Sequence, residues 1–137
     1  SGIRATGDIS VRVSGTSIRN SGVYGIYLSS GPRATVTGSA LSGNAIGIYV
    51  LASAASSTTT AEIADTTIDA NTTGVTGNDH GIHATLPGAS AWLSGSMVSH
   101  NGYGLYSNGA LFESAGNNAV RRNTTNTQGT IIQVAPM

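Results

Sequence analysis

A glycine followed by an aliphatic residue recurs through the chain as Gly2-Ile3-Arg4, Gly25-Ile26-Tyr27, Gly47-Ile48-Tyr49, Gly81-Ile82-His83 and Gly104-Leu105-Tyr106. The aliphatic positions lie 23, 22, 34 and 23 residues apart, the longest interval being one period with about eleven added residues. Two further markers keep the same rhythm. Val13, Val36, Ile63 and Leu93 each precede another aliphatic by five positions (Ile18, Leu41, Ile68 and Val98), and Asn44, Asn71 and Asn101 follow three residues after the last three of these. Val120 and Asn123 repeat that final pair, while the first repeat departs, with Asn20 two residues after Ile18. A fixed period over a whole chain means stacked units, none of which can bury its apolar face alone.

The unit is not helical. Gly, Ser, Thr and Asn fill its segments, and no 3.6-residue apolar stripe runs through them. A leucine-rich repeat of similar length would need its Leu ladder, which is absent. Alternation is present instead. In Ile26-Tyr27-Leu28 and Ile48-Tyr49-Val50 the aliphatics share one strand face and Tyr takes the other. Short strands separated by Gly, Asn and Ser corners describe a coil of a parallel β-solenoid, with coils about 4.8 Å apart. The inward set is Ile3, Val13, Ile18, Ile26, Val36, Leu41, Ile48, Ile63, Ile68, Ile82, Leu93, Val98, Leu105 and Val120. Each such side chain, once buried, contributes roughly 1.5–3 kcal/mol.

Two segments carry this pattern most clearly: Val36-Thr37-Gly38-Ser39-Ala40-Leu41-Ser42-Gly43-Asn44 through Gly47-Ile48-Tyr49, and Leu93-Ser94-Gly95-Ser96-Met97-Val98-Ser99-His100-Asn101 through Gly104-Leu105-Tyr106. On these residues the chain resembles the right-handed parallel β-helix proteins, the pectin-lyase-like family, over nearly its whole length. Its ending, Gly116 to Asn123 through Gly129-Thr130-Ile131-Ile132, is similar to the closing segment of secreted bacterial β-helix repeat proteins of unassigned function. The resemblance implies an all-β, right-handed parallel β-helix of about five coils of 22–23 residues, exported to the cell surface or secreted. It implies little chemistry, because such coils host lyases, hydrolases, spikes and adhesins.

The expected organisation is one domain over 1–137, the C-terminal part of a longer natural chain, because an uncovered first coil would expose strand edges and core. An end of that kind also predicts end-to-end self-association. Two insertions are expected, Ala52 to Thr60 and Thr72 to Asp79. The second leaves a choice between Gly74-Val75-Thr76 and Gly81-Ile82-His83 for the third-coil strand, and the spacing from Ile82 to Leu93 favours Ile82.

Composition narrows the functions. Only 9% of residues are charged, against about 25% in ordinary soluble proteins. Six Arg, no Lys and six acids give no net charge, and nucleic acid would demand a basic face. No run approaches the 18 apolar residues of a membrane helix. With no cysteine, disulfides, thiolate zinc sites and Cys nucleophiles are excluded.

The leading candidate site is the file after Gly-Ile: Arg4, Tyr27, Tyr49, His83 and Tyr106, widened by Tyr24, His80 and Tyr103. Outward rings offer flat apolar faces with a hydroxyl, suited to the sugar rings of a polysaccharide or cell-surface glycan. The structural alternative is ring stacking that stabilises the sheet. Asp79, His80 and His83 form a metal candidate, weakened because an odd spacing places positions 80 and 83 on opposite strand faces; no cofactor is implied. Among the acids, Asp65 and Asp69 are the nearby pair, and Asp65 stands where other coils have Gly15, Gly38 and Gly95. As a glycosidase pair they would need carboxyls about 5–5.5 or 6.5–9.5 Å apart; a solvated corner carboxylate is the simpler role. Pectate lyases of the resembling family gather acids on neighbouring coils. Here the file of Glu62 runs Arg12, Thr35, Glu62, Trp92, and no catalytic residue carries over. The Thr-rich surface forms no array for binding ice, since only Thr35 and Thr37 alternate. Three readings stay open: a glycan-interacting module, a purely structural or adhesive solenoid, and a carbohydrate-active enzyme with its active site partly upstream.

Overall fold

The computed structural model describes residues 1–52, 58–71, 80–85 and 88–135, with positions 80, 81 and 83–85 described by their backbone. Among these residues there is no helix, and the strands, numbered β1–β17 in chain order, form three all-parallel sheets. The first stacks β1 (Ile3–Thr6), β4 (Tyr24–Ser29), β7 (Ile46–Leu51), β10 (His80–Thr85), β13 (Tyr103–Asn108) and β16 (Thr125–Gln128). The second stacks β2 (Ser10–Ser14), β5 (Arg33–Thr37), β8 (Thr59–Ala64), β11 (Ala89–Ser94), β14 (Leu111–Ala115) and β17 (Ile132–Val134). The third stacks β3 (Ser17–Arg19), β6 (Ala40–Ser42), β9 (Thr67–Asp69), β12 (Met97–Ser99) and β15 (Ala119–Arg121). Each coil visits the three sheets in turn, giving five complete coils and a partial sixth.

The register is the one the repeat predicts. Ile3, Ile26, Ile48, Ile82 and Leu105 are successive partners; so are Val13, Val36, Ile63 and Leu93, and Ile18, Leu41, Ile68, Val98 and Val120. Three aliphatic files, one from each sheet, meet in a core that excludes water from Ile26, Ile48, Ile63, Ile82 and Leu105. Ile3 and Val120 lie at the ends of their files and are only partly covered. Ile82 fills the contested strand position, which the structure places in the fourth coil; Val75 and the expected insertion Thr72 to Asp79 lie outside the described residues. Of the expected insertion Ala52 to Thr60, Thr59 and Thr60 belong to β8 and Thr59 is buried, while residues 53–57 lie outside the described residues.

A second inward file runs Val11, Ala34, Ala61, Ala91 and Phe112. Three alanines leave little volume between the sheets, and in the last of these coils a fully buried phenyl ring takes that position.

The Asn column is a ladder. Asn44 Nδ2 donates to Asn71 Oδ1 (3.1 Å), Asn71 to Asn101 (3.0 Å), and Asn101 to Asn123 (3.0 Å). Each amide also donates to a carbonyl of the coil before, Asn71 to Leu41 O and Asn101 to Ile68 O. Each Oδ1 accepts the backbone N–H of the preceding Asn as well. The left-handed corner belongs to the residue before each asparagine: Gly43, Ala70, His100 and Arg122 have φ of 64, 50, 56 and 59°. Asn20 (φ 51°) occupies that corner in the first coil, which leaves Ser21 to donate its N–H to Asn44 Oδ1. This accounts for the irregular first repeat. None of the four ladder asparagines has positive φ, so the left-handed conformation falls on the neighbour.

A hydroxyl ladder runs along the opposite corner. The backbone N–H of Thr16, Ser39 and Thr66 donates to the side-chain oxygen of Ser39, Thr66 and Ser96 respectively. Each of these hydroxyls donates to the carbonyl two residues back, as Thr66 Oγ1 does to Ala64 O (2.9 Å).

Candidate functional site

The glycine of the Gly-Ile repeat decides how closely the coils approach at the start of the first sheet. A Cβ at Gly25 would lie 2.6 Å from Gly47 O, and one at Gly104 would lie 2.6 Å from Asn126 O. The glycine lets successive backbones pass close together, and the next two residues divide inward and outward. Ile26 and Leu28 are fully buried, with Tyr27 between them on the outer face. The outer file is Arg4, Tyr27, Tyr49, position 83, Tyr106 and Gln128, in register.

Three tyrosines form a cluster here. Ring centroids are 4.8 Å apart for Tyr24–Tyr27, 5.3 Å for Tyr24–Tyr49 and 5.5 Å for Tyr27–Tyr49. The Arg4 guanidinium carbon sits 5.2 Å above the Tyr27 ring. In β13, Tyr103 and Tyr106 meet at 5.7 Å. Tyr24 and Tyr27 differ by an odd number of positions, as do Tyr103 and Tyr106, and yet their rings touch. Simple alternation therefore fails at the start of this sheet, and parity is no guide to positions 80 and 83. Burial, and after it the neighbouring Tyr24 and Tyr27 hydroxyls, raise the Tyr49 pKa above the ordinary tyrosine value. The rings are partly exposed: packed against one another, each still presents some surface to solvent.

The outer face of the second sheet holds a feature only partly visible in the sequence, where the file through Arg12, Thr35, Glu62 and Trp92 was read without Glu113. Its central file runs Arg12, Thr35, Glu62, Trp92, Glu113 and Ile132. Trp92 remains 37% exposed, with Leu111 and Ile132 as exposed apolar neighbours of Glu113. Two depressions of about 450 and 470 Å³ share Trp92 and Glu113. The signal available in sequence was Glu113 two coils beyond Glu62 in one file, concealed because no adjacent coil repeats the acid.

The remaining candidates separate. Asp65 holds a left-handed corner (φ 50°) in register with Gly95, where an added Cβ would stand 2.5 Å from Asp65 Oδ1. Aspartate tolerates that conformation better than most residues. Asp69 ends β9 in an outer file with Arg19, Ser42, Ser99 and Arg121. The two acids thus flank opposite ends of one short strand. Asp79 lies outside the described residues, His80 and His83 are placed by backbone register alone, and among the described residues no group of three His, Cys, Asp or Glu could hold a metal ion. Among the described residues no helix is long and apolar enough to cross a membrane.

Comparison with known proteins agrees with this geometry. A family model described as "Right handed beta helix region" matches residues 1–135. No curated protein and no solved structure matches the chain. The chain belongs to the right-handed β-helix family.

Proposed function

For a right-handed β-helix with this outer surface, we propose a glycan-interacting module, exported to the cell surface or secreted, that offers the aromatic strip of its first sheet to sugar rings. The observation that carries the reading is the cluster of Tyr24, Tyr27 and Tyr49, three partly exposed rings within 5.5 Å of one another on an outer face. Rings needed only for sheet stability would gain by full burial. These keep part of their flat apolar ring surface at the face of the sheet, the kind of surface that stacks on a pyranose. Tyr106 continues the strip in the fifth coil, and position 83 lies between Tyr49 and Tyr106 in register.

The test is retention on an immobilised polysaccharide panel by the wild type and by Tyr27→Ala/Tyr49→Ala, with the urea midpoint measured in parallel. Lost ring pairs cost about 0.5–1.5 kcal/mol each, so the variant stays folded. The reading predicts retention by the wild type and its loss in the variant. No retention of the wild type on any glycan, or equal retention of both, would leave the solenoid a structural or adhesive element.

A further inference from the structure

The face around Trp92 shares no residue with the tyrosine strip and lies on a different sheet. Its chemistry is more selective. The chain's one tryptophan stands in file between two carboxylates, Glu62 and Glu113, separated by two coil spacings or about 9.6 Å. The two depressions that share it are each of ligand-pocket size, and Thr60 and Ser90 line one while Asn117 lines the other. Among the described residues lining them there is no Arg, so the only formal charges in the groove are negative.

We propose that Trp92 is the platform of a binding site for an amino-sugar oligosaccharide. The indole stacks on the apolar face of a pyranose ring, and Glu62 and Glu113 receive charge-assisted hydrogen bonds from the ammonium groups of units on either side. The same two carboxylates repel a uronate chain, so the site selects by charge as well as by stacking. A flat protein contact would need no pair of ring-sized depressions meeting at one aromatic residue.

Trp92 is its own reporter. Glucosamine oligomer is titrated into the wild type at neutral pH while tryptophan emission is followed, with cello-oligosaccharide and oligogalacturonate as comparison probes. The expected result is a saturable emission change, tightest for glucosamine oligomer and absent for oligogalacturonate. Glu62→Gln/Glu113→Gln, with both side chains at the surface, is expected to weaken glucosamine binding by about tenfold or more. In the wild type, added salt should weaken it too, which supplies a readout independent of any variant. Tyr27→Ala/Tyr49→Ala should leave this titration unchanged, whatever it does to retention at the first sheet. An unresponsive emission, an equal response to oligogalacturonate, or undiminished binding in the glutamine variant would each overturn the proposal.

Discussion

The corners of this solenoid and its outer faces follow opposite rules. At the corner between the third and first sheets, Asn44, Asn71, Asn101 and Asn123 repeat without change, because each amide must bond to the same amide one coil away. On the outer face of the second sheet, the file changes at every step, from Arg12 through Thr35, Glu62, Trp92 and Glu113 to Ile132. A buried polar group left without its partner costs the full desolvation of that group, whereas an outward side chain is free to vary. Repetition in this chain therefore reports the fold. Departure from repetition is where a ligand can be recognised, and the tyrosine strip lies between the two extremes, repeated in part and exposed in part.

The comparison breaks most severely if the ladder proves dispensable. Asn71→Ala removes acceptors for the Asn44 backbone and side chain and donors to Leu41 O and Asn101 Oδ1. The expected loss is roughly 2–4 kcal/mol in urea unfolding. A loss within measurement error would show that the repeated amides are decoration. A smaller effect is expected where backbones merely pass closely: Gly25→Ala places a methyl against Gly47 O and should cost about 1–3 kcal/mol by the same measurement.

The smallest effect concerns pH. The Tyr49 hydroxyl has its pKa raised in the fold, so its contribution is fully present below the unfolded value of 10.0 and is lost as pH climbs through the higher folded value. Above pH 10 the unfolded chain gives up this proton more readily than the folded one, and stability falls. Tyr49→Phe should flatten that alkaline decline in a series of thermal midpoints. An unchanged slope would mean that the cluster does not bury this hydroxyl.

Much of the fold was legible in sequence for the same reason that the ladder repeats. Aliphatic files must recur at the period of the coil, so Ile26, Ile48, Ile82 and Leu105 announced their register despite an interval of 34 residues. Less visible were features that substitute one residue type for another. Thr16, Ser39, Thr66 and Ser96 share a hydroxyl function under two names. Phe112 takes over a position held by Ala34, Ala61 and Ala91, a change of volume that no periodicity of aliphatics would flag.

The site was legible only in part. Tyr27, Tyr49 and Tyr106 stand out in the sequence because they repeat, with Tyr24 and Tyr103 beside them, although strict alternation gave no reason for the rings of each pair to meet. Trp92 was placed in its file from the sequence but drew no role, because it occurs once. The acids Asp65 and Asp69 drew attention through short sequence spacing, but a left-handed corner and an outer strand position send them to opposite ends of β9.

The most direct measurement of the whole account is a ¹H–¹⁵N spectrum recorded while glucosamine oligomer is added. The Trp92 indole N–H should shift with ligand, while the side-chain amides of Asn44, Asn71 and Asn101 stay in place. A spectrum in which the buried amides move as far as the indole, or in which the indole does not move at all, would contradict the division between a repeating interior and a recognising exterior.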